Sequence, residues 1–270
     1  MRELQQKIIT ELGVKPAINP EQEIADRTRF LVERLGATSL KGFVLGISGG
    51  QDSLLAGILA QRAAEQLRDV GRDATFTALL LPYGVQRDRD DALLAIDTIQ
   101  PDHVLDINIQ QTVDAFVASI EVATGQPMRD FTKGNAKARV RMIEHYAFEY
   151  ALKIGTDHAA EAVTGFYTKY GDGAADILPL AGLNKRQGRQ MLQALGMPEL
   201  FTTKPPTADL LDNKPGQSDE AELGLRYDEL DDYLEGKEVD PAIAAAIEQR
   251  YLTTQHKREM PVAFNDYYAE

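Results

Sequence analysis

Short apolar runs alternate with longer amphipathic segments through the first half of the chain. Two runs have the length and composition of strands that are buried on both faces, FVLGI at 43–47 and FTALLL at 76–81, and a third strand is predicted at residues 104–109. Three segments with apolar residues at helical spacing follow them in turn: Ser53 to about Arg68, residues 88–99 and residues 112–121. This alternation predicts an α/β fold, a Rossmann-like doubly wound parallel sheet with helices on both faces.

The remaining segments add helices at both ends of the chain. The polar start MRELQQKIITELG is helix-like, and residues 20–36 are predicted as a helix with Asn19 as N-cap, Pro20 at the first position and Gly36 as the stop. Three more helices are predicted in the second half: residues 135–152, residues 185–195 capped by Asn184, and a final helix from Asp240-Pro241 to about Lys257.

Between Thr203 and Gly224 the chain has prolines, many acids and little apolar periodicity. A stretch of this length without a regular pattern is typical of a mobile functional loop or a linker. Because nothing in it has the composition of an interdomain spacer, residues 1–270 are interpreted as a single domain.

Composition excludes several classes of function. The chain has no cysteine, which excludes disulfides, thiolate zinc sites and a cysteine nucleophile. Its formal charge of −13 argues against a nucleic-acid partner, because nucleic-acid binding depends on neutralising phosphates. No apolar run approaches the length of a membrane span, and the polar N-terminus is unlike a signal peptide. These features predict a cytoplasmic protein without a membrane partner.

Basic residues are concentrated in three stretches of this acidic chain. The stretches are Lys133, Lys137, Arg139 and Arg141; Lys185, Arg186 and Arg189; and His256, Lys257 and Arg258. Each stretch is compatible with a solvated helix face that balances nearby acids. Three of them also suit a small polyanionic ligand, such as a nucleotide, in a local positive pocket.

The sequence GISGGQDS, residues 46–53, lies where the first predicted strand turns into a helix. Ligands bind at such turns in parallel sheets, where glycines let backbone N–H groups approach phosphate oxygens and the helix N-terminus favours negative charge. Asp52 would repel a phosphate unless a cation bridges the two, which points to Mg²⁺. A plain tight turn followed by an acidic helix start is the simpler interpretation. GxxxxGK[ST] does not occur, so this is not a Walker A motif.

The turn SGGQDS resembles the pyrophosphate-binding loop of the N-type ATP pyrophosphatases, which adenylate a carbonyl or carboxyl oxygen. Other motifs are similar to those of ammonia-dependent NAD synthetases within that group: GTDHAAEAVTGFYTKYGDGAADILPL at 155–180, LNKRQGRQ at 183–190, PTADL at 206–210, DDYLEGK at 231–237 and HKR at 256–258. The resemblance covers nearly the whole chain.

This resemblance implies a two-step amidation of deamido-NAD. The nicotinate carboxylate attacks the α-phosphate of ATP, pyrophosphate leaves, and ammonia then displaces AMP from the acyl-adenylate to give NAD. The resemblance also implies a homodimer that binds deamido-NAD across its interface. Apolar positions on the helix at 20–36 and on the helix that ends in HKR give this dimer some support.

The resemblance assigns roles to matching positions of this sequence. Contacts to ATP are implied for Gly46, Ile47, Ser48, Gly49, Gly50, Gln51, Asp52, Ser53, Thr156, Lys185 and Thr207. Contacts to deamido-NAD are implied for Arg139, Lys169, Asp176, His256 and Lys257. Asp52 and Glu161 are implied as Mg²⁺ ligands. Asp52, Lys185 and Asp172 are the candidate catalytic residues, with Asp172 orienting or deprotonating ammonia.

Simpler interpretations exist for several of these residues. Thr156 and Glu161 lie near a helix start, where Thr and early acids are common. Lys185 follows a helix cap, where a surface charge is usual. His158 and Glu161 have a zinc-like spacing, but the sequence near them offers no further cluster of ligands, which disfavours zinc.

Two departures from the family pattern bear on the site. Leu80 stands just before LPYG, where relatives often carry an arginine near the adenine, which puts one contact to ATP in doubt. The segment YAFEYALKIGTDH is shorter and less apolar than the usual strand before GTDH, which predicts a curtailed fourth strand and a slight displacement of Thr156 and Glu161.

Other functions share the phosphate loop. A tRNA-thiolating or tRNA-lysidine enzyme would need a basic RNA surface, and the former usually needs cysteine. A GMP synthetase would carry a glutaminase and a different C-terminal domain. A regulator that holds ATP without turnover is a further alternative. The predicted nitrogen donor is free ammonia, since the chain has no cysteine for a glutaminase and the synthetase-like motifs account for its whole length.

Overall fold

A computed structural model of the protein describes residues 1–86, 88–207, 210–213 and 216–264. Four parallel strands form one sheet in the order β3-β2-β1-β4. Their bounds are β1 Gly42–Gly46, β2 Thr75–Leu80, β3 His103–Asp106 and β4 Ala151–Lys153. The strand order reverses between β1 and β4, and the predicted parallel α/β sheet is confirmed.

Helices connect and surround these strands. In the first half of the chain they are α1 Glu3–Leu12, α2 Pro20–Gly36, α3 Gln51–Asp69, α4 Arg89–Ile99, α5 Gln110–Thr124 and α6 Asp130–Tyr146. In the second half they are α7 Ala159–Thr164, α8 Lys185–Ala194, α9 Leu200–Thr203, α10 Asp219–Leu223, α11 Tyr227–Leu234, α12 Pro241–Thr253 and α13 Gln255–Arg258.

The sheet separates two layers of helices. One face carries Phe43, Phe76 and Leu80, which pack against α2, α3, α4 and α8 in the largest apolar core. The other face carries Val44 and Leu79, which pack with apolar residues of α5 and α6. Because successive side chains of a strand point to opposite faces of the sheet, each short apolar run contributes residues to both cores.

A third apolar cluster lies outside the sheet. It is built from α1, α7, α11 and α12, and it includes the fully buried Ile8, Tyr233 and Ile247. This cluster holds α7, with Glu161 on it, against the carboxyl-end side of the sheet where α8 begins. The predicted helices at both ends of the chain therefore have a role in building the site.

Caps fix the ends of the helices that the sequence predicted best. The Asn19 side chain accepts a hydrogen bond from the Gln22 amide, and Pro20 is the first residue of α2. The Asn184 side chain accepts from the Gln187 amide at the start of α8. In both cases the cap satisfies a backbone donor that the helix itself leaves free.

Several boundaries differ from the prediction, among them the end of the third strand, which lies at Asp106 instead of residue 109. The helix predicted over 135–152 ends at Tyr146, because residues 151–153 pair with β1 as the short β4, in agreement with the expected curtailed fourth strand. The segment 203–224 contains α10, and Thr207 pairs with Ser218 in one antiparallel bridge. The final predicted helix is divided at Thr254 into α12 and α13.

Among the described ranges, no helix combines the length and the apolar composition that crossing a membrane requires.

Candidate active site

The turn between β1 and α3 is held open by its own hydrogen bonds. The Ser53 hydroxyl accepts from the Ser48 amide (3.2 Å) and lies 3.1 Å from the Ser48 hydroxyl, which in turn accepts from the Gly50 amide (3.2 Å). Gly49 has φ +82°, and a Cβ on it would lie 2.6 Å from the Ala92 amide nitrogen of α4. A glycine is required here by both conformation and space.

Gly46, the last residue of β1, makes room for a histidine. A Cβ on Gly46 would lie 2.9 Å from Nε2 of His145, a ring nitrogen that has no hydrogen-bond partner among the described residues. Burial and the charge of Arg141 lower the pKa of His145 to about 4. The floor of the site beside the turn is therefore an uncharged imidazole.

Helix α8 directs Lys185 at this turn. The Asp231 carboxylate, fully buried on α11, accepts hydrogen bonds from the amides of Lys185 (3.0 Å) and Arg186 (2.9 Å). Gln51, the first residue of α3, donates to the Lys185 carbonyl (3.1 Å). The N-termini of α3 and α8 therefore meet. Because Asp231 accepts from the first two amides of α8, it is the Lys185 side chain that brings positive charge to the turn.

Lys185 and Asp52 form a buried ion pair at this meeting point, with 2.6 Å between Nζ and Oδ2. Burial opposes the charge on each of them, but their mutual attraction outweighs it, so the pKa of Asp52 lies below and the pKa of Lys185 above the ordinary value. Both groups are charged at neutral pH.

Glu161, on the first turn of α7, completes an acidic cluster with Asp52. Burial and the negative charges of Asp52 and Asp157 raise the pKa of Glu161 well above its ordinary value. His158, the N-cap of α7, lies between the two acids, with Nε2 3.8 Å from an oxygen of each. Burial lowers the pKa of His158 to about 4.

The residues implied as Mg²⁺ ligands fit a divalent cation. One ligand atom from each of Asp52, His158 and Glu161 lies within 4.8 Å of the others. Two partly buried, mutually repelling carboxylates suit a hard cation that also takes phosphate oxygens. In the sequence, His158 and Glu161 had no third ligand near them, and the structure brings Asp52 to that place. Because two of the three ligand atoms are carboxylate oxygens, the group favours Mg²⁺ over zinc.

A cavity of about 590 Å³ opens in front of the turn at the carboxyl ends of the strands. Its walls include most residues implied in ATP binding: Gly46, Ile47, Ser48, Gly50, Gln51, Asp52, Ser53, Thr156, Lys185 and Thr207. Glu161 and Asp172 lie on the same wall. Gly49 packs instead against the backbone of α4, behind the turn. Leu79 and Leu81 line the cavity, whereas Leu80 is buried in the sheet core, away from it.

Residues 204–207 and 210–213, here called the strap, contribute to the lining of the cavity and are held at both ends by ion pairs. Lys204 donates to Asp88 (3.0 Å) and Asp91 (2.6 Å) at the start of α4. Asp212 accepts from Lys137 (2.5 Å) and Lys133 (2.8 Å) of α6. Thr207 is thereby placed in the cavity wall. Apart from the bridge of Thr207 to Ser218, these residues form neither helix nor strand, as the sequence predicts, and the regular structure within 203–224 is α10.

A second pair of acids lies close to Glu161. Asp172 is exposed, and its Oδ1 accepts from the Thr168 amide (3.0 Å). Burial and the charge of Asp172 raise the pKa of Asp157 to about 7. The site therefore combines an acidic side, at Asp157, Glu161 and Asp172, with the cationic Lys185.

The residues implied in binding deamido-NAD fall into three places. Arg139 donates to the Lys169 carbonyl (3.2 Å), and Lys169 donates to the His256 carbonyl, which joins these three at the surface. Lys257 lines the cavity, and its Nζ donates to the carbonyls of Gly165 and Tyr167. Asp176 lies apart, where it accepts from the Lys153 amide (2.9 Å) beside β4.

Within each of the three basic stretches, neighbouring residues point in different directions and have different partners. Lys185 enters the site, while Arg186 and Arg189 pair with acids of α11, including Asp232 and Asp228. Arg141 donates to the Leu81 carbonyl (3.0 Å), and Lys133 and Lys137 hold the strap. One residue of each stretch, Arg141, Lys185 and Lys257, lines the cavity, so single residues rather than whole stretches bring positive charge to it.

Several functional contacts were not predicted from the sequence. They are the buried Asp231 that positions Lys185, the Lys204 and Asp212 ends of the strap, Asp157, and His158 between the acids. Asp231 begins the motif DDYLEGK, but its role depends on packing between α8 and α11.

A family model described as NAD synthase matches residues 23–261. The NH(3)-dependent NAD(+) synthetase of Bacillus licheniformis is 60% identical over 266 residues, 97% of this chain and 98% of that one. The NAD+ synthetase structure from Burkholderia pseudomallei is 43% identical with a TM-score of 0.82, over 95% of this chain and 96% of that chain. The NMN synthetase structure from Francisella tularensis is 35% identical with a TM-score of 0.80, over 92% and 100%. The chain thus belongs to the NAD synthase family.

Proposed function

We propose that this protein catalyses the ATP-dependent amidation of deamido-NAD to NAD with free ammonia. The observation that carries this proposal is the meeting of Lys185, Asp52 and Glu161 in front of the glycine-rich turn, inside a cavity large enough for a nucleotide. An adenylating enzyme needs groups that bind phosphate and acids that bind a metal ion. The chain also belongs to the NAD synthase family.

The reaction has two displacements. A carboxylate oxygen of the nicotinate ring attacks the α-phosphorus of ATP, the bond to the bridging oxygen of the β-phosphate breaks, and pyrophosphate leaves. The nitrogen of ammonia then attacks the acyl carbon, the bond to the AMP oxygen breaks, and the nitrogen loses a proton to give the amide. The first step is needed because ammonia cannot displace an oxide ion from a carboxylate.

The turn and Lys185 bind the phosphates in this proposal. Ser48, Gly50 and the first residues of α3 line the cavity, and the Lys185 ammonium lies 2.6 Å from Asp52 at its edge. A fixed positive charge in a partly dry site stabilises the charge that develops at the α-phosphate. Asp52 and Glu161 would hold Mg²⁺, which neutralises phosphate charge when bound.

The acidic side of the cavity suits the nitrogen donor. Asp172 is exposed near Asp157, and burial together with the negative charge of Asp172 raises the pKa of Asp157. Such a wall attracts ammonium, and a carboxylate of Asp172 can accept its proton to release the ammonia lone pair. Asp172 is the group we assign to orienting or deprotonating ammonia.

The exposed residues Arg139, Lys169 and His256, with Lys257 at the cavity, form one basic surface for the dinucleotide. Asp176 is held by Lys153 and Tyr146 on another side of β4. Its contribution to the same ligand then requires a second subunit or a ligand that extends around the end of the sheet.

A homodimer fits the apolar surface of the chain. On α2 and α12, which supported it in the sequence, Leu31, Leu35 and Ile247 are fully buried, while Phe30 and Leu252 are exposed. A larger group of exposed apolar side chains lies on β3 and α5: Val104, Leu105, Phe116, Ile120 and Val122. Helix α5 buries only Val113. We assign the subunit contact to this surface, in a cytoplasmic enzyme.

The experiment is a reconstitution with purified protein, ATP, Mg²⁺ and ammonium. Deamido-NAD should yield NAD, AMP and pyrophosphate in equal amounts, and glutamine freed of ammonia should yield none. Nicotinate mononucleotide is the comparison substrate, because one structural relative is an NMN synthetase. A clear preference for the mononucleotide, or ATP binding without AMP formation, contradicts the proposal.

A further inference from the structure

Of the two ring nitrogens of His158, Nδ1 has a clear role in the fold and Nε2 has none. Nδ1 accepts a hydrogen bond from the Glu161 amide (3.4 Å), which makes His158 the N-cap of α7. Nε2 is buried, without a hydrogen-bond partner among the described residues, and the side chain is only 2% exposed. A buried polar atom without a partner is costly, so it calls for a reason.

Capping alone does not require a histidine. Asn, Asp, Ser and Thr are the preferred N-cap residues, and each would accept from the Glu161 amide with a shorter side chain. The imidazole extends beyond the cap and brings Nε2 to 3.8 Å from Asp52 Oδ2 and 3.8 Å from Glu161 Oε1. The ring therefore reaches the one place where two carboxylates approach each other.

The cap also fixes which nitrogen carries the hydrogen. Because Nδ1 accepts a hydrogen bond, it has no proton, and the proton of the neutral ring is on Nε2. Nε2 is then a donor directed between the two acids and cannot be a metal ligand in this state. A shift of about 0.6 Å would bring it within hydrogen-bond distance of either oxygen.

We propose that His158 is a positioning residue that holds the Asp52 and Glu161 carboxylates in place for a divalent cation through its Nε2–H. The inference rests on the proposed function, because that function requires Asp52 and Glu161 to bind the metal. Donors that orient metal-binding side chains commonly change metal affinity by about 10- to 100-fold when they are removed. In this proposal the metal keeps only oxygen ligands, as Mg²⁺ prefers.

Two substitutions separate this role from capping. His158→Asn keeps an acceptor near the position of Nδ1 but does not reach the acids. His158→Gln places an amide N–H near the position of Nε2 but gives up the cap. We expect His158→Asn to retain the melting temperature of the parent yet bind Mn²⁺ about tenfold more weakly. His158→Gln should melt about 2–4 °C lower yet bind Mn²⁺ within about threefold of the parent.

Mn²⁺ binding is measured by electron paramagnetic resonance in the presence of a non-hydrolysable ATP analogue, independently of turnover. Asp52→Asn is the control that removes a ligand. Equal Mn²⁺ affinities of the Asn and Gln variants, or the reverse order, would overturn the proposal, as would a hyperfine coupling between Mn²⁺ and a histidine nitrogen in the parent.

The same experiment distinguishes the two proposals. If the parent binds Mn²⁺ through Asp52 and the variants show the expected order, the role of His158 stands even when no NAD is formed, and only the proposed function fails. If Asp52→Asn binds Mn²⁺ as tightly as the parent, the metal site is wrong and the role of His158 fails with it.

Discussion

Lys185 and Asp52, which are 133 positions apart in the chain, meet at the N-termini of two helices with 2.6 Å between Nζ and Oδ2. Lys185 is assigned to binding phosphate and Asp52 to binding a cation. In these roles each residue would have to release the other or share it with the ligand. In the free protein the two charges neutralise each other in a mostly buried place, which keeps both ionised until Mg²⁺ and ATP bind.

Removing the charge of either Asp52 or Lys185 should abolish most turnover, and removing both should cost little more than removing one. We expect Asp52→Asn and Lys185→Met each to slow AMP formation by roughly 10²–10³-fold, in the range of losing one charge-stabilising group. The double variant should be about as slow as either single variant, because the two groups act on the same phosphates. Fully multiplicative losses would show that they act independently.

The same variants test stability. Breaking a buried ion pair on one side costs roughly 3–5 kcal/mol, whereas replacing both partners is often neutral. Asp52→Asn should therefore lower the free energy of unfolding in urea, and the double variant should recover most of the loss.

Glu161→Gln should make the ligand-free protein more stable and less active. The pKa of Glu161 is raised well above its ordinary value, so its ionised form opposes folding, and this cost grows as pH rises toward the folded pKa. The amide removes that cost and also a metal-binding oxygen. Urea unfolding at pH 8 and the Mg²⁺ dependence of AMP formation measure the two effects, with the exposed Glu149→Gln as control. A less stable variant at pH 8 would contradict the electrostatic account.

Asp157 should contribute a pH dependence to stability. Its pKa rises from 3.8 in the unfolded chain to about 7 in the folded protein, so the folded state binds more protons between these values. The contribution of Asp157 is complete below pH 4 and is lost as pH rises through about 7. Asp157→Asn should flatten the change in urea midpoint between pH 5 and pH 8. An unchanged slope would show that Asp157 is ionised at lower pH.

Gly49→Ala and Gly50→Ala form a matched pair on the phosphate turn. Gly49 has φ +82°, and a Cβ would meet the α4 backbone at 2.6 Å, whereas a Cβ on Gly50 meets only the Ser48 hydroxyl at 3.3 Å. We expect Gly49→Ala to lose at least about 1–3 kcal/mol of unfolding free energy and Gly50→Ala clearly less. Equal losses would show that the turn can adjust.

The ends of the strap should affect ATP binding more than chemistry. Lys204→Ala removes the contacts to Asp88 and Asp91, and Asp212→Asn weakens those to Lys133 and Lys137. Because these pairs place Thr207 in the cavity wall, each change should raise the KM for ATP about 3- to 10-fold with a smaller change in kcat. Lys7→Ala, which removes a surface pair with Glu11, is the control. An unchanged KM would show that the strap does not contact ATP.

The sequence by itself determined the elements whose signals are local. Periodicity and length placed β1, β2, α2 and α8 within one or two residues, and Asn19 and Asn184 marked helix starts because a cap is a contact between near neighbours. The glycines of GISGGQDS marked the phosphate turn for the same reason, since a positive φ is a property of a single residue.

Only the tertiary structure decided what depends on distant partners. Residues 147–152 continue a helical pattern, but pairing with β1 ends the helix at Tyr146 and forms β4. Three contacts of the site join separate elements: the ion pair between Lys185 and Asp52, the hydrogen bond from the Lys185 amide to Asp231, and the position of His158 between two acids. No spacing in the sequence predicts them. Their charges acquire altered pKa values through burial and proximity, which arise only when the helices pack.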